Sequence, residues 1–232
     1  MTLIQEAFVS ATFRTDRDAP GELFIWTDIA PEHEQDFNQW YEREHMAERA
    51  AIPGFQWSRR YVRQGAGRKY LALYRTESLR VFGTAEYKKA FEQQTDWSNT
   101  NFARMSNTQR RVMAVSLLGG AGTGAVVLLV RLPELAQREA LARQCAAYLE
   151  QTDGLLALRV LTPDPELSTP LPSEDVQQRS LDPYLVADLT TLNAARTLAA
   201  RLQQDLGVAT NDVSEFSLLW DLQSRDLNAG RS

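Results

Sequence analysis

Two passes of one alternation pattern constrain this chain more than any single motif does. After a turn at Asp18-Ala19-Pro20-Gly21, Glu22 to Ile29 reads as a buried strand from its length and apolar content. A helix is predicted from Pro31, which suits a first helical position, with Glu32, Glu34 and Asp36 complementing the positive helix end and Pro53-Gly54 as the stop. Strands Phe55 to Arg63 and Lys69 to Arg75 follow, joined by the hairpin signal Gln64-Gly65-Ala66-Gly67-Arg68. Ser78 to Glu92 has helical spacing, a short helical piece is expected after Asp96, and Arg111 to Leu118 reads as a strand. The same βαββαβ order then recurs. Strand Ala125 to Leu132, helix Pro133 to Gln151, strands Leu155 to Thr162 and Tyr184 to Leu189, helix Leu192 to Leu206 before Gly207, and strand Glu215 to Leu222 make the second pass. A shared order at a period of about 100 residues, with almost no shared identity, points to two fused units of similar topology. The expected class is α+β, with helices on one face of an antiparallel sheet in each unit, residues 1–118 and 119–232. The N-terminal arm has no readable pattern, and the tail from Ser224 is expected to fray.

The units differ in content. Residues 1–118 carry 16 basic and 15 acidic side chains, residues 119–232 carry 9 and 15, so the net charge of −5 belongs to the second unit. Four of five Trp, five of seven Tyr, eight of nine Phe and both His lie in the first. That balance offers no broad attraction to phosphate backbones or anionic membranes, so neither nucleic acid nor a membrane is an expected partner. Arg59, Arg60, Arg63, Arg68 and Lys69 lie close in sequence, but strand alternation scatters them over both faces. A single Cys145 excludes a disulfide framework and a cysteine-rich zinc site, and reads as a small buried apolar residue. With no run of eighteen apolar residues and no signal-peptide start, a cytosolic protein is expected.

The segment Trp40-Tyr41-Glu42-Arg43-Glu44-His45-Met46-Ala47-Glu48-Arg49 concentrates the chemistry. On a helix Tyr41, Glu44, His45 and Glu48 share one side, with Phe37 a turn earlier, where a core-facing helix would carry aliphatics. An imidazole exchanges protons near neutral pH, and Glu44 or Glu48 is placed to orient it. The competing reading has His45 bonded to a backbone carbonyl and both glutamates in solvent. On the strands, Phe55, Trp57, Arg59 and Tyr61 alternate onto one face, Tyr70, Ala72 and Tyr74 onto one face of the next, and Trp26 shares a face with Phe24. Turned toward the helix, these faces line an aromatic cavity for a flat, partly polar molecule; turned away, they form the interface between two sheets.

Other features are weaker. His33 sits among acids in the first helical turn, and two histidines twelve residues apart make a poor zinc site, so no metal is expected. Gly119-Gly120-Ala121-Gly122-Thr123-Gly124 precedes a strand rather than a helix, which suits a linker and not a phosphate loop. The stretch with Pro163, Pro165, Pro170 and Pro172 reads as a surface insertion, with a lid over a pocket as the other reading.

The run from Trp40 to Phe55, with Glu44-His45, Glu48-Arg49 and Pro53-Gly54-Phe55, then Arg59-Arg60-Tyr61, Tyr70 to Tyr74, Tyr87 and Trp97, resembles the EthD-like group of the dimeric α/β-barrel superfamily over about residues 22 to 118. The resemblance implies ferredoxin-like units whose antiparallel sheets pack face to face. Here both units come from one chain, as an intrachain pseudo-dimeric barrel, and further homo-oligomers are in keeping with the family. It also implies a range of activities: cofactor-free monooxygenases, isomerases, cyclases, decarboxylases and dehydratases, together with haem enzymes. A histidine on or near the first helix handles the proton in several cofactor-free members, a role carried here to His45. The second unit has Gln144 to Glu150 where the first has its Glu-His segment, so one site per chain is expected. It also lacks the histidine that holds iron in two-unit haem members. Gln94-Thr95-Asp96-Trp97 departs from the Pro-Thr-Pro-Trp of relatives, which alters a pocket wall.

The resulting expectation is an acid/base enzyme without cofactor, acting on a small aromatic or polyketide-like compound. It would be an isomerase, lyase or dehydratase, cyclase, or cofactor-free monooxygenase. His45, Glu44 and Tyr41 are the expected catalytic residues, and Trp40, Glu48, Arg59, Tyr61, Tyr74, Trp26 and Trp97 the expected substrate contacts. A non-catalytic ligand-binding or scaffold protein, and haem binding through His45, are the competing readings.

Overall fold

The structure, a computed structural model, describes residues 13, 15–171, 174, 176–177 and 179–229. Most of the N-terminal arm and part of the proline-containing stretch lie outside them. Eight strands form one sheet: β1 (Gly21–Ile29), β2 (Phe55–Gln64), β3 (Tyr70–Thr76), β4 (Met105–Gly120), β5 (Val126–Arg131), β6 (Leu155–Pro163), β7 (Tyr184–Leu189) and β8 (Val213–Gln223). The helices are α1 (Glu34–Trp40), α2 (Met46–Ala50), α3 (Ala85–Glu92), α4 (Asp96–Arg104), α5 (Leu135–Gln151), α6 (Leu192–Leu206) and the short α7 (Asp226–Ala229).

The sheet closes in the order β1-β3-β2-β8-β5-β7-β6-β4, with every pairing antiparallel. The expected face-to-face sheets are thus one continuous barrel, joined where β2 pairs with β8 and β4 with β6. Closure leaves no unpaired strand edge. β4 begins at Met105, six residues before its predicted start, because Ser106 pairs with Asp28 beyond a bulge in β1. The predicted helix from Ser78 is a single 3₁₀ turn followed by α3, whose start is fixed by Thr84 accepting from the Tyr87 amide at 3.2 Å. The tail does not fray at Ser224: its amide donates to Gln56 and α7 follows. Gly120 and Gly124 lie where a Cβ would strike the backbone of Leu156 and Leu189, so the glycine run serves close packing.

Alternation divides each strand between the barrel interior and the outer face beneath the helices. Phe24, Trp57, Tyr61, Leu71, Leu73, Met113, Leu129, Val186 and Phe216 belong to the interior core. Outside, Phe37, Trp40, Tyr41, Tyr70, Tyr74 and Tyr87 form an aromatic core under the helices of the first half, and Leu141, Tyr148, Leu185, Leu198 and Leu202 an aliphatic one in the second.

One charged network crosses the interior. Glu22, fully buried, accepts from Arg75 Nε at 3.0 Å and Arg159 Nε at 2.9 Å, and Arg159 also donates to Asp188. Burial alone would raise the Glu22 pKa, but Arg159 and Arg75 outweigh it and hold the carboxyl below its usual range. Removing one member strands the others without counter-charge. A Glu22→Ala variant is therefore expected to lose about 3–5 kcal/mol, read as a lower urea midpoint at pH 7; an unchanged midpoint would refute the coupling.

Candidate functional site

The backbone between α1 and α2 does not follow a regular α-helix: Tyr41–His45 forms a π-helical turn, and the Met46 amide donates back to the Tyr41 carbonyl. Such turns are rare and frequent at functional sites. This one packs its aromatic residues tightly. The His45 ring lies against Trp40 at 4.2 Å between centroids, and meets Tyr41 at 5.3 Å, Phe102 at 5.6 Å and Tyr74 at 6.2 Å. Arg60 of β2 sits beneath, its guanidinium carbon 4.1 Å from the Tyr41 ring.

His45, Tyr41, Phe102 and Tyr74 border a cavity of about 450 Å³. Its floor is the outer barrel face: Leu23 and Ile25 of β1, Tyr74 of β3, and Met105, Thr108 and Arg110 of β4. The π turn and α2 supply Tyr41, His45 and Arg49, while α3, α4 and their link supply Tyr87, Phe91, Gln94, Asn99, Phe102 and Ala103. The cavity reaches the surface beside Phe91 and Phe102, which are 48% and 38% exposed. Leu171, from the proline-containing stretch, completes the wall, and that stretch is tied down by Arg110 donating to the carbonyls of Leu167 and Thr169.

Of the residues expected from the sequence, His45, Tyr41 and Tyr74 meet in this cavity; the others do not line it. The Glu44 carboxylate accepts from Trp40 Nε1 at 3.2 Å, Thr95 Oγ1 at 2.6 Å and Ser98 Oγ at 3.0 Å, which ties the π turn to the start of α4. Glu48 is exposed, and among the described residues no hydrogen bond joins either glutamate to the imidazole. Trp40 is fully buried behind His45 as packing, and Trp97 donates to Asp36 at 3.1 Å. Arg59, Tyr61 and Trp26 face the barrel interior or its end. Arg59 pairs with Asp221, Tyr61 belongs to the interior core, and Trp26 packs edge-on against Tyr184 and Phe216. For Arg59 and Tyr61 a bulge between Phe55 and Trp57 causes this, because one extra residue turns the rest of β2 over and puts Arg60, not Arg59, under the helix. Arg49, one turn beyond His45, was legible as a helical neighbour; Arg110 had no signal in spacing.

Electrostatics give the site its character. Burial first, then Arg49 and Arg60, push the His45 pKa well below its ordinary 6.5, so the ring is neutral at physiological pH. Nδ1 is buried without a hydrogen-bond partner. Burial also raises the pKa of both phenols; the two face each other, Tyr74 Oη without a partner of normal hydrogen-bond geometry, and both remain protonated. Among the described residues no three His, Cys, Asp or Glu cluster as metal ligands, and no helix is long and apolar enough to cross a membrane.

Neither a family model nor a curated protein matches the sequence. Solved structures do match the fold. A candidate monooxygenase from Lactobacillus acidophilus NCFM superposes with a TM-score of 0.55 at 10% identity, over 89% of this chain and 97% of its own. An anthrone oxidase-like protein gives 0.55 at 13% identity, over 91% and 95%, and a candidate chlorite dismutase 0.51 at 8%, over 91% and 98%. The fold is the one these structures share. At such identity the likeness speaks for the barrel architecture alone, and the chemistry rests on the cavity.

A buried neutral histidine has a thermodynamic signature. The unfolded chain takes up a proton below about pH 6.5 that folded His45 resists, so native stability falls as pH drops through 6.5 toward the lower folded pKa. Between pH 7 and pH 5 the native protein is expected to lose stability faster than a His45→Gln variant, by up to about 1.4 kcal/mol per pH unit. Parallel stability curves from urea titrations would contradict a depressed His45.

Proposed function

We propose that this barrel is a cofactor-independent acid/base enzyme in which His45 removes a proton from a small aromatic or polyketide-like compound, which then reacts with oxygen. The observation that carries this reading is a neutral imidazole beside two protonated phenols, on the wall of an apolar cavity open to solvent. A purely structural histidine would have its ring nitrogens bonded and its surroundings filled. Here Nδ1 has no partner and the ring borders free space. The names of the monooxygenase and anthrone oxidase-like neighbours favour oxygenation over isomerisation, elimination or cyclisation.

A depressed pKa makes His45 a modest base, so it suits a carbon or phenol that is already acidic. Neutral Tyr41 and Tyr74 can donate to the oxygen on which charge grows. With anthrone as the test compound the balance is anthrone + O₂ → anthraquinone + H₂O: the CH₂ carbon gives one proton to His45 and its electron pair to O₂, forming a C–O bond and, with that proton returned, a hydroperoxide; loss of the second proton from the same carbon then breaks the O–O bond, leaving C=O and water. The barrel order, which keeps β1 to β4 in four adjacent places and β5 to β8 in the other four, supports two fused ferredoxin-like units. It accords with an EthD-like first unit that carries the site and a structural second one.

Haem through His45 fits poorly. Rings of Trp40, Tyr41, Phe102 and Tyr74 crowd the imidazole with centroids between 4.2 and 6.2 Å away, so a porphyrin on His45 would have to displace aromatic packing.

Oxygen uptake with anthrone tests the proposal. A His45→Gln enzyme is expected to lose about 10²- to 10⁴-fold in kcat/KM. The acid limb of the native pH profile should fall well below 6.5, because His45 stays neutral there. A folded His45→Gln protein with undiminished turnover would end the assignment.

A further inference from the structure

Among the described residues six arginines are buried to 8% exposure or less: Arg49, Arg59, Arg60, Arg110, Arg111 and Arg159. Arg59, Arg111 and Arg159 each have a carboxylate, from Asp221, Glu174, and Glu22 with Asp188. Arg60 has no ion pair among the described residues, but its charge lies over the faces of Tyr41, Tyr70 and Phe37 and it donates to Asn38 at 2.6 Å. That leaves Arg49 and Arg110, and both line the cavity.

Their partners are neutral. Arg49, 5% exposed, donates from Nη2 to Gln94 Oε1 at 3.0 Å and has no ion pair among the described residues. Arg110, 6% exposed, donates to the Leu167 carbonyl at 3.2 Å, to Thr169 through its carbonyl and hydroxyl, and to the Tyr87 hydroxyl at 3.0 Å. Among the described residues the cavity wall contains these two cations and no Asp or Glu. A buried guanidinium without counter-charge is costly, and elsewhere in this barrel the cost is met by a carboxylate or, at Arg60, by three stacked aromatic faces and the Asn38 amide. In the cavity that role is left to the occupant.

We propose that the ligand is an aromatic carboxylate, its charged end held between Arg49 and Arg110 and its flat body against the aromatic walls. This rests on reading the cavity as the substrate site and narrows the substrate class from aromatic compounds generally to aromatic carboxylic acids. The guanidinium fork matches a carboxylate, and the rings of Tyr74, Phe91 and Phe102 supply the apolar wall. Arg49 follows His45 by one helical turn, so a carboxylate held there places the ring within reach of the imidazole.

Calorimetry with 2-naphthoate and 2-naphthamide, which share a ring system and differ in charge, tests this directly. Native protein is expected to bind the acid at least about tenfold more tightly than the amide. The preference should fall toward unity in Arg49→Gln and Arg110→Gln, survive in part in Arg49→Lys, and persist in His45→Gln. Native protein that binds the amide equally well, or binds neither probe, overturns the inference, and so do folded Arg→Gln variants that keep the full preference. Because His45→Gln retains the preference, the outcomes separate. Lost preference with His45-dependent turnover means a neutral substrate. Retained preference with His45-independent turnover means an acid-binding site of other chemistry.

Discussion

Closure of the sheet governs the rest of the structure. Once β2 pairs with β8 and β4 with β6, the buried strand residues point either into the interior or toward the helices. A one-residue shift in register therefore moves such a group from one chemistry to the other. The candidate site occupies the outer side, between the barrel wall and the π turn. The interior is solid: Phe24 stacks on Tyr184 at 5.3 Å, and Leu71, Leu73 and Phe216 are fully buried around them.

Charge is handled differently on the two sides. Inside, Glu22, Asp188 and their arginines neutralise one another, so the barrel carries polar groups through its core and links its two halves. Outside, Arg49 and Arg110 have only neutral partners among the described residues, and they border the same cavity as an imidazole kept neutral by burial and by the charges of Arg49 and Arg60. The two features reinforce each other. A positive wall disfavours a second proton on His45 and favours an anion in the space beside it. The His45 pKa is thereby coupled to what the cavity holds, since an anion near Arg49 would cancel part of the field that depresses it.

Much of this was legible in the residues. Tyr41 and His45 lie four apart on a predicted helix and Tyr74 on a strand of correct parity, and these three meet. Arg59 and Tyr61, expected as substrate contacts, share a face with Trp57 but not with Phe55, because a β-bulge inserts one residue that no alternation count can detect. Glu44 failed for a different reason: helical spacing gives the side on which a residue stands, while its rotamer takes the carboxylate to Trp40, Thr95 and Ser98. Those bonds still matter, because they fix the aromatic ring against which His45 rests. Arg110 and Leu171 reach the cavity only through tertiary structure, from strand β4 and from a connection in the second half of the chain.

The two outer cores show why one chain carries one cavity of this kind. In the second half α5 runs unbroken for 17 residues, and Leu141, Tyr148, Leu198 and Leu202 fill the space beneath it and α6 with no exposure. The Tyr148 hydroxyl is bonded to Gln144 and Asp205, at 3.1 Å each, so even the polar atom there is committed to structure. In the first half the corresponding helix is interrupted by the π turn, aromatic groups replace aliphatic ones, and open volume remains, edged by two cations with no ion pair among the described residues. Unfilled space and uncompensated charge each destabilise a fold. A closed barrel with one well-packed half tolerates both in the other, and the strain is concentrated where a ligand would relieve it.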